Sequence, residues 1–505
     1  MGEVLGRALT GTVNGLEGVR IDVEADIAQG LPGFHIVGLA DRALQEARER
    51  VKIAMNNSEI EFPALKVTVN LAPAQLPKEG SGFDLAIAVA IMSAKLGCPL
   101  PVGAAWLGEL ALNGEVRSVR GVLAIIGHLA RAGARRFYVP AANLIEARLA
   151  TIFPVHPVRD LRQVKRHLVE GTPLLEPDPA SAETTPPGTD TVDLAEVRGQ
   201  ALAKRALEVA AAGAHHLLMV GPPGAGKTLL ARTVPGIMPP LSPAEALEVT
   251  TIASCVGLLP PGGGLRTEPP FRSPHHTIST AALIGGGPMW PRPGEVTRAH
   301  RGVLFLDEIN EFRRDALEGL RQPLEEGRLV LGRTRGHSTL PGRFLLIAAA
   351  NPCPCGFAGD PRRPCECTPP LRQRYRARLS GPIRDRIDLQ VLVPRPASAD
   401  LLRQGEPGEE SALVRDRVRA ARARQAARRP DGPLNGALSG VQLRRDARLD
   451  EAGIVLLERA AERLHLSGRA VHRVVRVART IADLAAVDEI RAVDVAEALQ
   501  FRETG

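Results

Sequence analysis

The chain has 505 residues, a net charge of +8 and an apolar fraction of 44%, which suits two or three soluble domains with ordinary cores. No apolar run approaches the roughly 20 residues that span a bilayer. The opening residues, MGEVLGRALT, lack the basic-then-apolar pattern of a secretory signal, so a cytoplasmic protein without a membrane partner is expected. Six cysteines in so long a chain do not make a disulfide scaffold.

In chain order, residues 1–170 alternate strands and helices. Val67–Leu71 reads as a strand, Phe83–Lys95 as a strongly apolar helix, Leu123–Ala132 as another helix and Arg136–Pro140 as a closing strand. The segment GTPLLEPDPASAETTPPGTDT, residues 171–191, is rich in Pro, Ser, Thr and acids and reads as a linker. A turn-like entry at Val197–Gln200 then opens residues 192–395, with a helix over Ala201–Ala212. Residues 396–505 carry Ala–Arg and Leu–Val periodicities and are expected to be mostly helical.

The chemistry begins at Leu217–Val220, an apolar strand that runs into Gly221-Pro222-Pro223-Gly224-Ala225-Gly226-Lys227-Thr228 and then a helical run from Leu229. Small residues let successive backbone N–H groups turn toward phosphate oxygens, and the helix that follows adds its positive end. In this pattern the lysine reaches the β- and γ-phosphates of a nucleoside triphosphate and the threonine ligates Mg2+. A second apolar strand, Gly302–Leu306, ends in Asp307 and Glu308. Asp307 is suited to hold the magnesium through water, and Glu308 to polarise the attacking water. The spacing suits neighbouring strands of one parallel sheet. A third strand, Phe344–Ala350, ends at Asn351, whose amide either orients the water or simply turns the chain before Pro352.

Arg378–Asp388 reads RLSGPIRDRID. An arginine at such a strand edge can neutralise transition-state charge on a neighbouring subunit's nucleotide. Arg386 is the candidate and Arg384 the alternative. Ser467-Gly468-Arg469 opens an apolar–basic helix from which Arg469 can contact the γ-phosphate. Two basic stretches, Arg372 to Arg386 and Arg415 to Arg429, suit a polyanion; the second also reads as a solvated helix face. Cys353, Cys355, Cys365 and Cys367 form C-x-C-x9-C-x-C, either a structural Zn2+ site or free thiols. Two short strands within Arg328–Phe344 flank the turn Arg335-Gly336-His337, where Arg333, Arg335 and His337 add basic side chains suited to the phosphates of such a polyanion. His275 and His276 either face the same ligand or pack as a pair. With aromatic residues at only 3%, base stacking is a poor model and backbone-directed, salt-sensitive binding is favoured.

These residues together resemble AAA+ ATPases of the magnesium-chelatase-like group. FRSPHHTIST, PGEVTRAHRGVLFLDE, LRQPLEEGR, NPCPCG and VRVARTIADL narrow the resemblance to the bacterial ComM/YifB family over nearly the whole chain. The resemblance implies an N-terminal Lon-protease-like (ribosomal-protein-S5-like) α/β domain, an AAA+ P-loop three-layer α/β core and a C-terminal helical lid. It also implies ATP-driven hexameric rings that migrate branched single- or double-stranded DNA during recombination in natural transformation, alongside recombination proteins. Carried onto this chain, Lys227, Asp307, Glu308, Asn351, Arg386 and Arg469 take the Walker A, Walker B, sensor 1, finger and sensor 2 roles. The matched Lon-type loop is Pro77–Asp84, with Gly82 where the serine belongs and Ser81 one residue early. Leu123 occupies the place of the catalytic lysine, so a Ser–Lys scheme cannot run there. A chelatase-like chaperone acting on a protein partner and an ATP-dependent protease are the competing readings.

Overall fold

The computed structural model describes residues 5–38, 42–73, 81–174, 192–287, 291–333, 336–360, 363–396, 408–430 and 432–502. Of the linker expected over residues 171–191, residues 175–191 lie outside them. The first sheet is built from β1 (Gly6–Asn14), β2 (Glu17–Ala28), β3 (Gly33–Val37), β4 (Lys66–Ala72), β5 (Ala104–Trp106), β6 (Arg136–Pro140) and β7 (Val155–Val158). Its order is β3-β4-β2-β1-β5-β6-β7. β1 and β2 pair antiparallel along their full length, Gly6 opposite Ala25 through Asn14 opposite Glu17. Alternating residues of β2 and β4, among them Ile21, Val23, Val67, Val69 and Leu71, are fully buried, as the period of two in their sequences requires. Helix α1 (Asp84–Leu96) covers that apolar face with an unbroken buried run from Asp84 to Ser93. Helix α2 (Val122–Arg131) packs on a smaller cluster with Leu107, Phe137 and Val139.

The second sheet is five-stranded and wholly parallel. Helix α3 (Ala201–Gly213) leads into β8 (Leu217–Val220), and α4 (Lys227–Ile237) leaves it. Helix α5 (Pro243–Cys255), β9 (Phe271–Arg272), β10 (Val303–Leu306), the hairpin β11 (Arg328–Arg333) and β12 (Gly336–Pro341), β13 (Leu345–Ala350), α6 (Pro369–Arg376) and β14 (Leu389–Leu392) follow. The order is β9-β10-β13-β8-β14. β8 is therefore flanked by the last two strands in sequence, and β10 is separated from it by β13 instead of lying beside it. Every residue of β10 and β13 is buried, which explains their continuous apolar runs: strands covered on both faces lose the alternation of a half-exposed sheet.

The C-terminal region is helical, with α7 (Ser411–Arg428) and α8 (Gly468–Leu484) as its long members. α8 buries Val474, Val475, Val477, Ala478, Ile481 and Ala482 against the same core as α3 and β8. Most arginines of α7 are tied to neighbouring elements, while Arg419 stays exposed beside Asp416. Arg417 binds Glu208 at 2.6 Å, Arg422 donates to Ala211 O at 2.6 Å, and Arg424 pairs with Asp488 at 2.5 Å. Arg428 grips both oxygens of Asp483 at 2.5 and 2.6 Å. A basic helix can serve as an internal tie when each guanidinium meets a carboxylate or carbonyl of an adjoining element.

The N-terminal region touches the nucleotide region through α5. Ser254 Oγ donates to Glu146, a carboxylate only 5% exposed. Glu146 also accepts from Leu123 N at 3.1 Å and Asn143 Nδ2 at 2.9 Å, and Gly121 N donates to Ser254 O at 3.1 Å. Beside this contact lies a cleft of about 960 Å³ lined by Ser81, Glu109, Arg120, Glu146, Ser254 and Arg298, among others.

Asp483 is the densest polar node: besides Arg428, it receives Asn435 Nδ2 at 2.8 Å and lies 3.1 Å from the fully buried Arg479. Replacing Asp483 by Ala leaves two guanidinium groups without their carboxylate, a loss of about 3–5 kcal/mol. A urea titration of the helical region's unfolding is expected to show a large fall in midpoint for Asp483→Ala. Asp416→Ala, which removes only an exposed pair with Arg419, is expected to move it by no more than about 0.5 kcal/mol.

Candidate active site

Parallel register places the functional loops at one edge. Leu217 to Val220 of β8 lie opposite Ile347 to Ala350 of β13, and Leu306 of β10 lies opposite Ala348. The residues that follow these strands, Gly221, Asn351 and Asp307, thus emerge together at the carboxyl ends, beside the point where chain order reverses in the sheet, the usual ligand crevice of open parallel sheets.

In the phosphate loop, Gly224 (φ +75°) and Gly226 (φ +89°) adopt left-handed backbone, and a side chain at either position would meet open space within 4 Å. The loop is an open cradle that feeds directly into α4, whose N-terminal end is Lys227. The Lys227 ammonium is 8% exposed as a residue and donates to Gly221 O at 2.5 Å, Pro222 O at 3.0 Å and Asn351 Oδ1 at 3.2 Å. Burial pulls its pKa below the ordinary lysine value, against the carboxylates of Asp307 and Glu308. Thr228 Oγ1 donates to Asp307 Oδ2 at 2.7 Å. A hydroxyl and a carboxylate oxygen in contact at the mouth of a phosphate cradle are the hard donor pair that Mg2+ takes alongside phosphate oxygens. The residues present fit ATP and magnesium.

Glu308 sits beside this pair with a left-handed backbone (φ +50°), its N–H donating to Asp307 Oδ1 at 3.0 Å. Its carboxylate lies 3.7 Å from His276 Nδ1, and the rings of His275 and His276 are 4.1 Å apart. The histidines thus pack as a pair and bring one of their number to Glu308. Sequence spacing alone does not reveal this, because His276 reaches Glu308 from the loop after β9, across the sheet edge.

Arg386 precedes β14 and lies off the amino ends of the strands, since Leu389 is opposite Leu217. A four-residue strand rising roughly 3.3 Å per residue separates it from the phosphate-loop end. Its guanidinium donates to Pro382 O and Glu325. Arg384 donates to Arg376 O at 3.1 Å and Leu379 O at 3.3 Å. Arg469 is exposed in the first turn of α8 and makes no hydrogen bond to the phosphate loop among the described residues. The hairpin pairs Gly332 with His337 and Arg333 with Gly336, so Gly336 and His337 belong to the second strand and not to the turn. Arg335 and the side chains of Arg333 and His337 lie outside the described residues.

The four loop cysteines come together. Their sulfurs lie within 4.8 Å of one another, with Cys353 to Cys355 at 3.3 Å and Cys365 at 3.6 Å from each. None is in a disulfide. A hydrogen bond from the Phe357 backbone holds the Cys355 thiol well below its usual value, at about 6.

In the N-terminal cleft, Ser81 Oγ donates to Glu109, and Leu123, expected to stand in the place of a Lon-type lysine, is 5% exposed. Among the described residues, neither lysine nor histidine lines this cleft. No helix among the described residues is long and apolar enough to cross a membrane.

Comparison with known proteins agrees with this architecture. Residues 193–401 match the family model for magnesium chelatase, subunit ChlI. Residues 23–143 match that for subunit ChlI of Mg-chelatase, and residues 408–502 that for the subunit's C-terminal part. The uncharacterized protein YifB of Escherichia coli K12 is 42% identical over 497 residues, covering 97% of this chain and 95% of YifB. The competence protein ComM of Haemophilus influenzae is 40% identical over 493 residues, with the same coverage of each chain. Lon protease 2 of Bacillus subtilis is 29% identical over 191 residues, 35% of this chain and 34% of that protein. The chain belongs to the ComM/YifB family of magnesium-chelatase-like AAA+ ATPases, with a Lon-protease-like N-terminal domain and a helical C-terminal lid.

Proposed function

We propose that this chain is an ATP-driven DNA motor that assembles into a hexameric ring and moves branched DNA during recombination. The observation that carries the hydrolytic part is the convergence of Lys227, Thr228, Asp307 and Asn351 at one sheet edge. In this reading the backbone of Gly221 to Leu229 cradles the phosphates, and Lys227 transfers its hydrogen bonds from loop carbonyls to phosphate oxygens. Thr228 and Asp307 would hold Mg2+, which would supply charge neutralisation at the phosphates. Asn351 orients the attacking water, and Glu308 accepts its proton.

Arg386 is proposed to act on the nucleotide of the next subunit. Its place at the strands' amino ends supports this, being far from its own phosphate loop but on the same chain segment as β14. Arg469 is proposed to close the lid onto the nucleotide. Arg333, Arg335 and His337 are proposed to contact DNA phosphates from the hairpin. The N-terminal domain is proposed to serve assembly and not proteolysis. Leu123 in the lysine position, and the docking of Ser254 into Glu146 beside Ser81, support that reading. The working units are residues 1–170, 192–395 and 396–505. Similarity over nearly the full chain to a competence protein of Haemophilus influenzae supports a role in the uptake and recombination of DNA, in the cytoplasm, over metal insertion or protein degradation.

Two substitutions separate binding from hydrolysis. Lys227→Ala is expected to abolish binding of a fluorescent ATP analogue together with turnover. Glu308→Gln is expected to bind the analogue normally while turnover falls by about 10²-fold or more. Equal loss of binding in both variants would contradict the roles assigned. For the DNA part, steady-state ATPase is measured with and without forked DNA. Arg335→Ala is expected to lose most of the DNA stimulation, keep basal turnover and show a shallower dependence on salt. Unchanged stimulation removes the hairpin from the mechanism.

A further inference from the structure

The cysteine loop does more than leave the sensor strand. It lies directly on the phosphate loop. Cys353 is two residues beyond Asn351, whose amide already receives Lys227. Gly356, between the second cysteine and Phe357, has a left-handed backbone (φ +84°), and a Cβ added there would stand 2.6 Å from Pro223 Cδ and 2.9 Å from Pro223 Cγ. Backbone of the cysteine loop is therefore pressed against the ring of a phosphate-loop proline, and only glycine fits both the conformation and the gap. Past Cys367, helix α6 reaches the acidic turn: Asn310 Nδ2 donates to Tyr375 O at 3.3 Å, and Arg378 pairs with Glu311 at 2.7 Å. One knot thus joins the three segments that supply Lys227, Asn351 and Glu308.

The sulfur positions suit an ion. Four thiolates about 2.3 Å from a common Zn2+ at tetrahedral angles are separated by about 3.8 Å; the sulfurs of Cys353, Cys355 and Cys365 lie 3.3 to 3.6 Å apart, and that of Cys367 lies within 4.8 Å of them. Ala358 N donates to Cys353 Sγ at 3.3 Å, the kind of backbone N–H···S contact that orients a metal-bound thiolate. An all-thiolate tetrahedral set selects a soft divalent ion and leaves no position open for catalysis. Cys353 is fully buried, so the knot closes onto the core.

The geometry points to Cys353, Cys355, Cys365 and Cys367 as a structural Zn2+ site that braces the phosphate loop, so that ATP affinity depends on the metal. This rests on the reading of Gly221–Thr228 as an ATP site, and the experiment separates the two. The full-length protein is purified without chelator, and its metal content and its affinity for a fluorescent ATP analogue are measured. The expected result is one zinc per chain, replaceable by cobalt with the visible absorption of a tetrahedral thiolate complex. Cys365→Ser is expected to lose the zinc and bind the analogue at least ten-fold more weakly. Gly356→Ala keeps all four thiols; it is expected to retain zinc and still bind the analogue at least five-fold more weakly. Lys227→Ala is expected to lose nucleotide but keep its zinc. Less than half an equivalent of zinc, or iron in its place, overturns the site. Wild-type affinity in Gly356→Ala overturns the brace. A zinc-loaded wild type that binds no ATP overturns the nucleotide reading and, with it, the coupling.

Discussion

The register of Leu217–Val220 between two parallel neighbours is the constraint on which the rest depends. With β13 on one side and β14 on the other, the phosphate loop must leave the sheet beside Asn351, and Lys227 must turn back under that loop. Its ammonium is then held by two loop carbonyls and one amide oxygen. A buried cation is tolerable only with such partners. The same arrangement leaves it one short movement from phosphate oxygens. β10, one strand further out, brings Asp307 to Thr228 across the end of β13.

The opposite end of the sheet is governed by the lid. Helix α8 carries Arg469 in its first turn. One turn further on, Arg473 donates to Arg384 O at 3.3 Å and Ile387 O at 3.2 Å. Arg476 lies 3.3 Å from Asp388, which also holds His215 at 2.9 Å, and His215 in turn meets Thr480 at 2.8 Å. The segment bearing Arg384 and Arg386 is thus fastened to the helix that bears Arg469. In the proposed ring, such a fastening would link a chain's own lid to the arginine proposed to act on the neighbouring nucleotide. A buried polar network of this kind holds the elements it joins in one arrangement.

Much of this was legible from residue order. The loop from Gly221 to Thr228, the buried strands ending at Asp307 and Asn351, and the helix from Ala201 follow from local patterns, because glycine conformation, apolar runs and helix periodicity are short-range signals. Four cysteines within fifteen positions announced their own cluster. Contacts between distant segments were not legible. Nothing in the spacing of His276 relates it to Glu308, nor Gly356 to Pro223, nor Ser254 to Glu146, since each depends on how sheet edges and helices meet. The basic run from Arg415 to Arg429 illustrates the limit most clearly. Charge alone reads as a surface, and only the buried carboxylates Glu208 and Asp483 reveal internal ties.

The central claim is that hydrolysis at Lys227 moves branched DNA, and the most direct test is a labelled four-way junction incubated with the protein and ATP. The wild type is expected to convert the junction to duplex products in a reaction dependent on magnesium and ATP, and Lys227→Ala to convert none. No conversion by an ATPase-active wild type, or equal conversion by Lys227→Ala, would contradict it.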